Sequence, residues 1–88
     1  MKITGKDLKR LGFKKQKDDS DFSDPFHYYI YDIDGTLLIS CANTDKKNGG
    51  YYVEFFNTSV LRYSELEDLE QLIQIIRIGL INNKHKNR

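Results

Sequence analysis

Two residues restrict this chain more than any others. Asp34 and Gly35 separate the β-rich runs "FHYYIYDI" (26–33) and "TLLISCAN" (36–43). A two-residue loop between strands favours a type I′ turn, in which both central residues take positive φ. Glycine does so without steric cost and aspartate tolerates it. The turn fixes one register: Ile33 faces Thr36, Ile30 faces Ile39, and pairing runs back to Phe26 opposite Asn43. Phe26, Tyr28, Ile30, Ile39 and Cys41 then share one face. Tyr29, Tyr31, Ile33, Leu38 and Ser40 share the other. Both faces are apolar, so one is expected under a helix and one open, with Tyr29 and Tyr31 assigned to the open face.

The flanking segments supply the rest of an α+β domain. Thr4 and Asp7 have capping-box spacing, Ile3 and Leu8 have hydrophobic-staple spacing, and Gly12 supplies a C-terminal stop. These define a short N-terminal helix. Lys14 to Lys17 is expected as an edge strand and Asp18 to Asp24 as an exposed acidic loop. "YYVEFFN" (51–57) alternates as a third strand, and residues 59–63 add a short fourth. Ser64 and Glu67 form an S-x-x-E box before a long helix over about residues 65–81. Its core face carries Leu66, Leu69, Leu72, Ile73, Ile76 and Leu80. The fold class is therefore α+β: a short N-terminal helix, a small antiparallel sheet of three to five strands, and a long C-terminal helix packed on one face. Residues 1–88 read as a single domain with a polar tail at 82–88.

The stretch "DIDGTL" (32–37) resembles the D-x-D-G-T-L signature of haloacid dehalogenase-like phosphatases. That resemblance implies Asp32 as nucleophile and Asp34 as general acid/base, both assisting Mg²⁺. The family's Ser/Thr, Lys and downstream acidic pair, carried on a large doubly wound parallel sheet, have no counterpart in the strands and helix that follow Thr36. The hairpin explains Asp34-Gly35 without chemistry, so the match is read as coincidental. No catalytic residue and no enzyme activity is assigned.

Metal and cofactor sites are likewise not expected. From Asp19, the sixth and twelfth positions of a calcium loop fall on Asp24 and Ile30, where Gly and Glu are needed. His27, His85 and the lone Cys41 make no ligand cluster. One unpaired cysteine fits a reducing, cytoplasmic setting, and no apolar run suits a membrane helix.

Formal net charge is +1, which excludes a polycation, but its distribution is uneven. Residues 1–17 hold seven basic residues and one acidic. Lys6, Lys9, Arg10, Lys14, Lys15 and Lys17 could form a basic patch for RNA or single-stranded DNA. Ile75, Ile78 and Ile81 make a second apolar stripe opposite the helix core face, suited to a partner or a second copy of the chain.

The succession "LKRLGFKK", "PFHYYIYDI", "YYVEFF" and "LEQLIQII" resembles small accessory proteins of bacterial phages and mobile elements. The resemblance implies a host-directed role, such as inhibition of a CRISPR nuclease in the manner of anti-CRISPR proteins. The expectation is a non-catalytic module that binds a host protein or protein–RNA complex through Tyr29, Tyr31, Ile75 and Ile78. The alternative is nucleic-acid binding by the basic N-terminal segment.

Overall fold

The Asp34-Gly35 turn forms as the sequence predicts, with φ of 51° and 97° at its two central residues. A computed structural model describes residues 1–18 and 26–86. Strand β2 (Phe26–Ile33) and strand β3 (Thr36–Ser40) pair antiparallel, with Ile33 opposite Thr36 and Ile30 opposite Ile39. The ladder stops there rather than running back to Asn43, because the chain bends into a 3₁₀ turn at Asn43–Asp45. Side chains take over the backbone donors of β2. Tyr29 N–H donates to Ser40 Oγ and His27 N–H to Asn43 Oδ1, both at 2.9 Å.

Helix α1 (Gly5–Leu11) begins at the Thr4–Asp7 capping box. It ends at Gly12, where φ of 116° lets the backbone N–H reach back to the last turn. Strand β1 (Lys14–Asp18) then lies along β2, with Lys15 opposite Tyr29 and Lys17 opposite His27. Strands β4 (Val53–Phe55) and β5 (Thr58–Tyr63) complete a five-stranded antiparallel sheet in the order β1-β2-β3-β4-β5. The third strand is shorter than 51–57 because Tyr51 is drawn elsewhere. Its N–H donates to the Ile3 carbonyl, and Lys2 bridges to Glu65 on the other side. Residues 2–3 are thus wedged between the approach to β4 and the exit from β5, with Ile3 fully buried.

Helix α2 (Leu66–Lys86) starts with its Leu66 N–H bonded to the Met1 carbonyl at 2.8 Å. It continues past the expected end near residue 81 and takes in residues 82–86 of the expected polar tail. "NNKHK" contains neither Gly nor Pro, so nothing there stops a helix. The acidic residues 19–24 lie outside the described residues, so the expected loop is not among the structural findings.

Both helices pack on the same side of the sheet. Leu8, Leu66, Leu69 and Ile73 form one core with Tyr29, Ile33, Leu38 and Val53. Ile3, Leu8, Leu38, Val53 and Leu69 are wholly shielded from solvent. Neighbours directly opposite in an antiparallel sheet point the same way. Leu38 faces Tyr31 and Phe55, and Ser40 faces Val53, so the register carries this core face from strand to strand.

Two of the three left-handed glycines, Gly12 and Gly35, differ in their surroundings. A Cβ at Gly12 would stand 2.9 Å from Tyr31 Cζ, whereas one at Gly35 would meet nothing within 4 Å. Gly35→Ala should cost about 1 kcal/mol of backbone strain. Gly12→Ala should cost about 2 kcal/mol or more, since strain and collision combine. Urea unfolding of the two variants checks the order. Equal losses would show that Tyr31 does not press on Gly12.

Candidate binding surfaces

The register assigns the open face of the sheet to residues other than those expected. Tyr29 is only 4% exposed and points into the helix-covered core, its hydroxyl against the first turn of α1 at Gly5. Tyr31 lies on the same side. Its ring packs against Phe13 at 5.3 Å, and Arg77 donates to its hydroxyl at 2.7 Å. The expectation of Tyr29 and Tyr31 on an open face is therefore corrected. Their face meets Val53 and Phe55, and burying those side chains draws the helices to that side.

The open face carries Phe26, Tyr28 and Ile30 from β2 with Leu37 and Ile39 from β3. None of the five belongs to the core or packs against it. Among the described residues, neither helix lies over them. Phe26 and Tyr28 stack with ring centres 6.4 Å apart. Toward β5 the row turns polar: Arg62 donates to Glu54 at 3.1 Å, and its guanidinium lies 4.0 Å over the Tyr52 ring. A shallow apolar pocket of about 280 Å³ opens by Ile30, Tyr31, Asp32, Gly12 and Lys14.

Ile75 and Ile78 are exposed as the sequence predicts, at 66% and 57%. They do not lie simply opposite the core. Arg10 pairs with Glu70 and Arg77 reaches the Leu11 carbonyl, so one flank of α2 faces α1. Asp68, Leu72 and Ile75 line a cleft with Tyr63, so the other flank faces β5. The Ile75–Ile78 stripe continues outward from that second flank.

The six expected basic residues divide. Arg10 is held by Glu70 at 3.1 Å and by Asp7 at 3.6 Å. Lys14 stands opposite Ile30 on the open face, and Lys6 is exposed on α1. Lys9, Lys15 and Lys17 each repel the charged form of His27, as does Lys46, which the sequence did not single out. Lys46 Nζ lies 5.1 Å from the centre of the Tyr51 ring, and the Tyr51 hydroxyl is 2.9 Å from His27 Nε2. Burial pushes the His27 pKa below its usual value, and Lys15, Lys17, Lys46 and Lys9 add repulsion of the charged ring. The fold alone joins Lys46 to this group, because the loop after the 3₁₀ turn returns beside the start of β2.

Asp32 belongs to the hairpin tip. Its carboxylate accepts from Gly35 N–H at 2.8 Å, and an antiparallel strand follows. Burial pushes the Cys41 thiol pKa up, and His27 is bonded to Tyr51 rather than to that thiol. Among the described residues, no group of three His, Cys, Asp or Glu side chains could hold a metal, and no helix is long and apolar enough to cross a membrane. No protein-family model, curated protein or solved structure matches the chain.

His27 is expected to titrate below its ordinary value of 6.5 when followed by NMR, and Lys17→Gln with Lys46→Gln should raise the midpoint. The sign for stability follows from a folded pKa below the unfolded one. The unfolded chain binds more protons, so the His27 contribution is complete above pH 6.5 and lost as pH falls through that value toward the folded pKa. His27→Gln should flatten this part of the stability profile. A folded midpoint at or above 6.5 would contradict the lysine cluster.

Proposed function

We propose that this chain is a non-catalytic protein-binding module whose docking face is the open side of the sheet. The observation that carries the reading is the one-sided placement of both helices. It leaves Phe26, Tyr28, Ile30, Leu37 and Ile39 as a contiguous apolar row with two aromatic rings. Such rows, rimmed by charge like that of Lys14, Glu54 and Arg62, suit a protein partner, in which aromatic anchors carry much of the binding energy. The resemblance to phage and mobile-element accessory proteins directs the reading toward a host defence factor, such as a CRISPR nuclease, inhibited by occlusion.

A second reading has its own observation. Lys9, Lys15, Lys17 and Lys46 gather at one place, and backbone phosphates of RNA or single-stranded DNA would suit them. Affinity then falls steeply with salt as counterions are released.

One experiment separates the two. Immobilised chain is used to capture partners from host lysate at low and high salt, beside Tyr28→Ala, Ile39→Glu and Lys15→Gln/Lys17→Gln variants. The protein-binding reading predicts capture that survives salt and weakens by about 30-fold, roughly 2 kcal/mol, in Tyr28→Ala or Ile39→Glu. Nuclease-sensitive capture lost at high salt and in the lysine variant favours the second reading. Capture unchanged by the Tyr28 and Ile39 substitutions overturns the first.

A further inference from the structure

The N-terminal segment and the loop before β4 enclose a polar pocket that neither reading of the function uses. It holds about 340 Å³, and its polar lining is Lys2, Lys47, Asn48, Arg62, Ser64 and Glu65. Ile3 is buried in the core, so Lys2 beside it in the extended segment turns away from the core. Residue 2 bridges to Glu65. Asn48 and Gly49, with φ of 53° and 80°, form a tight turn in which Lys47 and Gly50 exchange backbone hydrogen bonds at 2.9 Å. The turn and the N-terminal segment together bring Lys47 and Lys2 to one cavity.

The lining has three cations and one carboxylate. That carboxylate, Glu65, already accepts from the Met1 amino group at 2.7 Å. Arg62 meets Glu54 through Nε, a contact that does not use its two terminal nitrogens. Its guanidinium is held in place over the Tyr52 ring. Among the described residues, the side chains of Lys2, Lys47, Asn48 and Ser64 have no hydrogen-bond or ion-pair partner. Lys2 is nonetheless placed by its surroundings. A Cβ at Gly50 would stand 3.1 Å from Lys2 Cβ, and one at Gly49 would stand 3.3 Å from Lys2 Nζ. The stem therefore lies across Gly50 and the ammonium beside Gly49, a path that two glycines leave open.

Five donor side chains thus line one cavity with an excess of positive charge and too few acceptors. A carboxylate would bring two oxygens and one charge. A phosphate monoester brings three oxygens and a charge of about −1.5 to −2, and the arginine fork matches its geometry. We infer that this pocket binds the dianionic phosphate group of a small molecule. Lys2, Lys47 and the terminal nitrogens of Arg62 are the charged donors, and Asn48 and Ser64 the neutral ones. The site is separate from the lysines near His27: Lys46, next to Lys47 in the chain, leans instead on the Tyr51 ring.

The test uses the purified chain. Its amide NMR spectrum is followed on titration with inorganic phosphate, adenosine monophosphate and adenosine, with ionic strength held constant by sodium chloride. Both phosphates should give saturable shifts centred on Lys2, Lys47, Asn48, Gly49, Gly50 and Arg62, and adenosine none. Tighter binding of the monophosphate assigns the site to an organic phosphate, and equal binding assigns it to the free ion. Lys2→Gln and Lys47→Gln should each weaken binding about tenfold, whereas Lys15→Gln with Lys17→Gln should leave it unchanged. Gly50→Ala keeps every charge but displaces the Lys2 stem, so it should weaken binding while the rest of the spectrum is preserved. Shifts that fail to saturate, or a loss as large in the Lys15 and Lys17 variant as in Lys2→Gln, overturn the inference. Binding unaffected by Lys2→Gln and Lys47→Gln also overturns it.

Discussion

The hairpin register at Asp34-Gly35 is the constraint on which the rest depends. A slip of one residue would exchange every side chain of β2 and β3 between the faces. In the register that forms, Tyr29, Ile33 and Leu38 meet Leu8, Leu69 and Ile73, while Tyr28, Ile30 and Ile39 turn away. The Gly12 cap places Phe13 and β1 against the same ribbon. Ser40 then closes the hairpin by taking the Tyr29 N–H onto its hydroxyl, which in turn donates to the Cys41 carbonyl at 2.9 Å. A buried hydroxyl thereby satisfies a backbone donor that the ladder no longer reaches, at a depth where an unpaired N–H would be costly.

Local chemistry made most of the fold legible. The Thr4–Asp7 capping box, the left-handed stop at Gly12, the two-residue turn and the periodicity of Leu66, Leu69 and Ile73 each act over a few residues, and each appears as expected. The Ser64–Glu67 box does not form: α2 starts at Leu66, and the Glu67 carboxylate accepts from the Met1 amino group instead. What the sequence concealed was non-local. The hairpin is apolar on both faces, so its own pattern cannot say which face is buried. The deciding residues are Val53 and Glu54, and they act only once β4 pairs with β3. A long loop hides that register. Glu54 falls opposite Ile39 and pairs with Arg62, marking that side as the wetter one. The loop that brings Lys46 beside His27 was hidden for the same reason. Nor does a local rule foresee a helix start completed by Met1 from the far end of the chain.

The outcome is a sheet with helices on one face and three surfaces of different chemistry. The open face is apolar with aromatic rings. The start of β2 gathers lysines around a histidine. The outer flank of α2 carries two exposed isoleucines, Ile75 and Ile78. The sheet edges are mixed: β1 is blunted by charge, whereas β5 has no lysine and exposes Leu61. A domain of 88 residues has little core to spare.

The central claim is that, among the described residues, the helices cover one face of the sheet only, and adjacent residues of β3 offer its most direct measure. Methyl NMR in the presence of a soluble paramagnetic relaxation agent compares Leu38 with its neighbours Leu37 and Ile39. One-sided packing predicts strong broadening of the Leu37, Ile39 and Ile30 methyls, with Leu38, Leu8 and Leu69 left sharp. Equal protection of Ile39 and Leu38 in the isolated chain would contradict an open face and the binding role built upon it.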